Sequence, residues 1–298
     1  MTVTVMRQES TAIFDELANA PQSSAIGELY PEDEAEVLEF LAARPIHTVF
    51  MASLIRDNGL NSPRNRGSFY AYRDRHGDLE GVGLLGHATM IEAVTEEAPS
   101  AFARLARNCL NASLIRGERE TINRFWKYYA NPGQEPRLIC REFLFELREA
   151  PPVTAPVADL RPATLDELDQ ILKVNAAMAF QEGKVSPLQS DPSGFHQRIV
   201  RRIEQGRIWV WIQDGNMIFK ADVVAETPDA VYLEGIHVHP EKRLKGYGQR
   251  CLTQLGSNLL SRYKAICLTT NQENKKAVKF YEKAGYKFNC HYETVYLR

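Results

Sequence analysis

The stretch Val238-His239-Pro240-Glu241-Lys242-Arg243-Leu244-Lys245-Gly246-Tyr247-Gly248 sets an apolar strand against the start of a helix through a short basic turn. Upstream, 231–238 reads as strand. Downstream, Cys251, Leu252, Leu255 and Leu259 fall on one helical face. The glycines at 246 and 248 let backbone approach a ligand, and the free amides of a first helical turn are acceptor-seeking groups that suit a pyrophosphate. Lys242, Arg243 and Lys245 add local positive charge. On spacing alone, a structural turn with a solvated charge cluster accounts for this R-x-x-G-x-G run equally well.

Working outward, the clearest break is Ala150-Pro151-Pro152-Val153-Thr154-Ala155-Pro156-Val157, whose three prolines lack the amide hydrogens a helix or central strand needs. It divides the chain into 1–150, a linker over 151–158, and 159–298. In the first part the pattern predicts helices over 31–44 and 48–56, strands over 68–73 and 81–94, a helix over 101–110, a strand near Ser113, a helix over 121–129 and a strand over 137–147. The second part repeats that order. Helices over 165–180 and 195–205 precede a hairpin, 207–212 and 217–226, around Asp214-Gly215-Asn216. Then come strand 231–238, helix 248–262, strand 265–270, helix 275–284 and strand 286–297. The order repeats while the residues do not, which points to a tandem duplication of architecture.

Gly81-Val82-Gly83-Leu84-Leu85-Gly86 matches the dinucleotide pattern G-x-G-x-x-G, but its glycines lie inside an apolar run that continues as strand. That pattern needs a helix N-terminus behind the turn, so small residues in a bent strand are the better reading.

Composition bounds the partners. The 298 residues are 44% hydrophobic and 25% charged, with a formal net charge of −2. No overall field draws such a chain to nucleic acid or an anionic membrane. The five cysteines, Cys109, Cys140, Cys251, Cys267 and Cys290, form no C-x-x-C pair and read as reduced thiols. Residues 1–19 carry Arg7, Glu9, Asp15 and Glu16 and do not read as a leader peptide. No run approaches the ~20 apolar residues of a membrane span, and a cytoplasmic setting is expected.

A second motif lies at a fixed distance from the first: Asn274-x-x-Ala277-x-x-Phe280-Tyr281-Glu282-Lys283-Ala284-Gly285-Tyr286. The two blocks together resemble the GNAT family of N-acetyltransferases, strongly over about 232–286 and by architecture over the whole second half. The first half resembles a degenerate copy. The resemblance implies an α/β structure of the α+β type, the acyl-CoA N-acyltransferase fold in two tandem copies. Each is a mixed, mostly antiparallel sheet whose fourth and fifth strands splay apart. It implies acetyl-CoA as acyl donor, with the backbone of Ile236 and Val238 pairing with the pantetheine arm. The segment Arg243, Leu244, Lys245, Gly246, Tyr247 and Gly248 would hold the pyrophosphate, and Asn274 and Ala277 would lie at the pantetheine end.

By the same resemblance Tyr281 protonates the departing thiolate, a role a phenol suits; a core aromatic is the alternative, because Ala277, Tyr281 and Ala284 share a helical face. Asn274 is equally suited to cap its helix, which Gly285 closes. Glu234 is the candidate general base, on a strand face expected to include Tyr232 and Ile236. Some family members carry their glutamate where this chain has Tyr232, or on the fifth strand where it has Thr269. His237-x-His239 lacks an apparent third ligand, and no metal is expected. The implied reaction is direct transfer to a primary amine of a small molecule or amino acid, or to a protein lysine or N-terminus. No cysteine nucleophile takes part. A silent acyl-CoA-binding regulatory module is the alternative.

Overall fold

The structure, a computed structural model, describes residues 25–297, so the reading of 1–19 lies outside the described residues. Strand β1 (Ala25–Glu28) precedes helices α1 (Glu34–Ala42) and α2 (Pro45–Asn58). α2 begins at Pro45 instead of near Thr48, because the fixed φ of proline suits a first helical position, and it stops at Gly59 with φ 78°. Strands β2 (Gly67–Arg73), β3 (Leu79–Gly86) and β4 (Ala88–Ala93) follow. The single strand expected over 81–94 is thus two. A Cβ at Gly86 would stand 2.3 Å from the Arg66 carbonyl oxygen and 2.4 Å from Gly67 Cα, so the chain closes tightly there. Gly81 and Gly83 lie inside β3, where a Cβ would meet the Phe102 ring at 3.1 and 3.0 Å. The glycine pattern serves close packing of α3 (Glu97–Ala106) on the strand.

The first half ends with β5 (Leu114–Glu118), α4 (Arg119–Tyr129) and β6 (Leu138–Leu147). The second contains β7 (Arg161–Pro162), α5 (Leu168–Gly183), α6 (Pro187–Ser190), α7 (Pro192–Glu204), β8 (Ile208–Gln213), β9 (Asn216–Glu226) and β10 (Ala230–Val238). It closes with α8 (Tyr247–Leu260), β11 (Ala265–Asn271), α9 (Lys275–Lys283) and β12 (Lys287–Tyr296). This is a mixed, mostly antiparallel sheet flanked by helices, as expected of the α+β type.

The strand order is β1-β2-β3-β4-β5-β12-β6-β11-β10-β9-β8-β7. Each half therefore lends its last strand to the other. β6 pairs with β11 from Glu142↔Asn271 to Leu147↔Ile266, and β12 pairs with β5 from Tyr292↔Glu118 to Tyr296↔Leu114. The exchange makes one continuous sheet and brings side chains of β5 and β6 beside β10 and β11. The proline segment is strapped down as well. Arg250 of α8 donates to the carbonyls of Ala155 and Pro156 at 3.0 and 3.2 Å, and Gln254 bonds both backbone groups of Val157.

Two apolar layers sandwich the second half's strands. On one face Phe219, Val223, Val231 and Leu233 pack against Leu252 and Leu255 of α8. On the other, Tyr232, Ala225 and Cys267 pack against Ile46 and Val49 of α2, a first-half helix. Arg207 fastens that helix through Asp57, Nη2 to Oδ1 at 2.9 Å.

Candidate active site

β10 and β11 run parallel and pair at only three positions, Ala230↔Ala265, Val231↔Ile266 and Tyr232↔Cys267. Beyond Tyr232 both strands continue unpaired with each other, so a fork opens between them. On its other edge β10 departs from the ladder with β9 between Glu234 and His237. The departure is a bulge at Gly235, whose φ is 60°. Such an extra residue re-aims the side chains that follow. Ile236 therefore packs on the core face of Leu233 and Val231, not on the face of Tyr232 and Glu234 as strict alternation predicts.

Past Val238 the chain makes a short 3-10 turn (Pro240–Lys242) and enters α8. Leu244 has φ 59° and is fully exposed, and Gly246, φ 83°, is the N-cap, with no side chain capping the helix. A Cβ at Gly246 would meet nothing within 4 Å, so the space before these amides is open. The two glycines differ in their reason. Gly246 supplies the left-handed backbone, while Gly248 is buried and a Cβ there would stand 2.7 Å from Val238 Cγ2 and 3.2 Å from the Phe280 ring. Gly248 thus lets α8 pack closely on Val238 and on α9. Arg243 Nε donates to the Val238 carbonyl at 3.0 Å, which commits that oxygen and stiffens the turn. Lys245 is exposed and Tyr247 half-buried, its ring 5.4 Å from that of Trp211.

α9 opens with the cap that its sequence permits: Asn274 Oδ1 accepts from the Ala277 amide at 3.2 Å. Tyr281 sits on this helix among Phe145, Phe280 and Tyr286, with ring centroids 6.2, 5.3 and 6.1 Å away. Burial, with a smaller push from the nearby Glu182 carboxylate, raises the phenol well above its ordinary range, so its proton is retained. Burial pushes His237 down to about 4, helped by Arg243, Lys220 and His239, so the imidazole is neutral near pH 7.

Around Glu234 the strand exchange assembles residues that sequence reasoning missed. Arg116 of β5 is largely buried, with Nη1 3.7 Å from Glu234 Oε1. Its Nη2 donates to the Tyr232 hydroxyl and, at 2.8 Å, to Thr269 Oγ1. Thr269 in turn donates to Glu142 Oε1 of β6 at 2.8 Å, and Thr294 donates to Glu142 Oε2 at 2.6 Å. The two positions that lack a glutamate, Tyr232 and Thr269, are thus tied together by an arginine and served by a carboxylate from the exchanged strand. Nothing local in the sequence of β5 or β6 marks Arg116 or Glu142; only the sheet order brings them here.

Glu182 lies at the end of α5, the helix expected to border the acceptor groove. Crowding by surrounding protein atoms and the carboxylates of Glu234 and Glu142 push it up to about 7, with Arg116 acting the other way, although the side chain still reaches solvent. Its helix end is held by the exchanged strands. Arg137 Nη1 donates to the Gly183 carbonyl at 2.7 Å, and a Cβ at Gly183 would touch the Tyr296 ring at 3.3 Å. Elsewhere, donor atoms of His47, Glu118 and Cys290 lie within 4.8 Å of one another. The Arg44 guanidinium already holds that Glu118 oxygen at 2.6 Å, in the place a cation would take.

Residues 204–288 match the family described as acetyltransferase (GNAT) domain. No curated protein matches the chain by sequence. Among solved structures, a Drosophila protein is similar over 93% of this chain and 99% of its own, with 12% identity and a TM-score of 0.64. A GNAT-family acetyltransferase from Colwellia psychrerythraea matches 92% of this chain and 100% of its own at 11% identity and a TM-score of 0.55. A tandem GNAT protein from the clavulanic acid biosynthesis pathway matches 92% of this chain and 98% of its own at 12% identity and a TM-score of 0.55. At such identities the structural likeness is one of fold.

Proposed function

Since residues 204–288 carry a GNAT acetyltransferase domain, we propose that the protein transfers an acetyl group from acetyl-CoA to a primary amine of a small molecule or amino acid, by direct attack in a ternary complex. The observation that carries this reading is the continuity of the β10–β11 fork with an uncapped helix start. β10 and β11 stop pairing beyond Tyr232 and Cys267, and β10 runs on through the short turn to the open amides behind Gly246. The residues fit the donor: a left-handed Leu244 and Gly246, exposed Arg243 and Lys245, and clear space before the first turn. Exposed amides at a helix N-terminus suit phosphate oxygens without further charge. When bound, the donor supplies the thioester that makes acyl transfer to an amine favourable.

The protein's own part is proton handling and orientation. Tyr281, kept protonated, is the group assigned to donate a proton to the leaving sulfur. Two carboxylates can take the proton of the amine. Glu234 is 45% exposed and steadied by Arg116, and Glu182, near 7, is poised between base and acid at neutral pH. The silent-module alternative draws on one observation, the filling of the Tyr232 and Thr269 positions by an arginine-held pair of hydroxyls. A screen of small amines, amino acids and peptides for CoA release, with acetyl-CoA binding followed by calorimetry, separates the readings. Binding with turnover of a small amine supports the proposal, binding without turnover of any acceptor supports the module, and no binding removes both.

A further inference from the structure

Lys220 and Asp222 are 0% and 2% exposed on a strand that is otherwise apolar, Phe219-Lys220-Ala221-Asp222-Val223. The ammonium donates to Asp222 Oδ1 at 2.6 Å and to the Gly235 carbonyl at 3.1 Å. Asn175 of α5 donates to the other Asp222 oxygen at 3.0 Å. Stripping water from both ions is costly, and well-packed apolar residues of similar volume often stabilise a fold as well or better. The location of the pair is therefore the informative point. Its third partner is the carbonyl at the β10 bulge, where the strand turns toward the fork. Pair and bulge fit only with glycine, since a Cβ at 235 would come within 2.8 Å of Lys220 Nζ.

The Gly235 carbonyl and the Ile236 N–H belong to one peptide unit. That unit is trans, so the two groups point in opposite directions. Holding the carbonyl toward Lys220 turns the Ile236 N–H away from the ion pair, on the segment of β10 that borders the opening beyond Tyr232. A cation on the carbonyl also polarises the amide and strengthens its N–H as a donor.

We propose that Lys220 is a positioning residue for acyl transfer, fixing and polarising the Gly235–Ile236 peptide so that the Ile236 N–H donates to the acyl carbonyl oxygen of the donor. This rests on the acetyl-CoA reading above. A donor set in advance toward the oxygen where negative charge develops lowers the barrier without reorganising during the step. Lys220 gains and loses no proton and touches no reacting atom. Asp222 and Asn175 hold the ammonium against the carbonyl.

The test compares wild type, Lys220→Met and the double variant Lys220→Met/Asp222→Leu, which removes the whole buried pair without stranding a carboxylate. Melting temperature, acetyl-CoA affinity, kcat and the infrared carbonyl stretch of bound acetyl-CoA labelled with carbon-13 at the carbonyl are measured. The double variant is expected to fold and to bind acetyl-CoA as wild type does. Its kcat falls up to about 10²-fold, the lower end of the loss when an oxyanion donor is removed, and the carbonyl stretch moves toward that of the free thioester. A folded double variant with unchanged kcat and unchanged stretch overturns the assignment. So does a wild-type bound carbonyl no lower in frequency than the free thioester, a reading that needs no variant. Wild type that binds no acetyl-CoA overturns the donor reading and this proposal with it, whereas failure of the other arms overturns Lys220 alone.

Discussion

In the first half β4 and β5 pair at two positions, Ala88↔Leu114 and Thr89↔Ile115, and then part; in the second, β10 and β11 part after three. The backbone device is the same, and the treatment differs at every later step. Arg44 bridges the first fork, Nη1 to Glu92 Oε1 of β4 at 2.9 Å and Nη2 to Glu118 Oε2 of β5 at 2.6 Å. Beside it α2, with Tyr232 and Tyr292, leaves a cavity of about 20 Å³, room for roughly one water. The helix that follows, α3, starts at Glu96 and Glu97, carboxylates that complement the helix dipole themselves and repel an anion. The helix after the second fork starts at a bare glycine among Arg243 and Lys245. The same splayed strand pair thus leads to helix starts of opposite local charge in the two halves.

The largest effect should come from reversing that charge. Gly246→Glu places a carboxylate on the helix start and is expected to abolish acetyl-CoA binding in calorimetry, while wild type binds one equivalent per chain. Because residue 246 has φ 83°, Gly246→Ala carries the same backbone strain without the charge and is the control. Equal loss in both would trace the effect to strain, and two equivalent sites in wild type would break the contrast between forks.

Next in size is the proton donor. Tyr281→Phe keeps the ring contacts and removes the hydroxyl, which should lower kcat by ~10²–10⁴-fold with the donor's Kd little changed. A variant as fast as wild type returns Tyr281 to a packing role.

The first fork should respond in stability instead. Arg44→Met leaves Glu92, 7% exposed, without its partner, at a cost of about 1–3 kcal/mol visible as a lower melting temperature. Glu92 is already raised by burial, with Arg44 lowering it. Without Arg44 the folded-state value rises further. Stability from a raised carboxyl is present at low pH and lost as pH rises through that value, so the deficit should grow toward alkaline pH. No second acetyl-CoA site should appear.

The smallest effect tests the exchanged strand. If Glu182 takes the amine's proton, kcat/KM rises with pH through a limb near 7. Glu142 is one of the charges raising Glu182, so Glu142→Gln, which keeps a hydrogen-bonding amide, should move that limb to lower pH. An unmoved limb assigns it to another group.

Much of this was legible along the chain. Gly215, Gly246 and Gly285 mark turns by the left-handed backbone they adopt, and the apolar periods placed the longer helices and most strands within a few residues of their ranges, while the short β1, β7 and α6 carried no such signal. The run 81–94 misled because Gly86 breaks it through contact with Gly67, a residue distant in sequence. The face of Ile236 misled because one bulge shifts the alternation, though the charged pair Lys220 and Asp222 in an apolar strand was a visible sign of something buried opposite.

What the sequence alone determined was local: the order of helices and strands, the uncapped basic helix start, and the motif pair that resembles the acetyltransferases. These follow from nearest-neighbour chemistry, backbone φ and side-chain period, which a linear chain displays directly. What only the tertiary structure decided was the company that Glu234 keeps. Arg116 reaches it, and Glu142 reaches the neighbouring Thr269, because β6 enters between β11 and β12, and β12 enters beside β5. Strand pairing is satisfied by backbone hydrogen bonds that any suitable edge can supply, so the choice of partner depends on how whole faces bury, here on α2 and the shared core of Ile46, Tyr232 and Cys267.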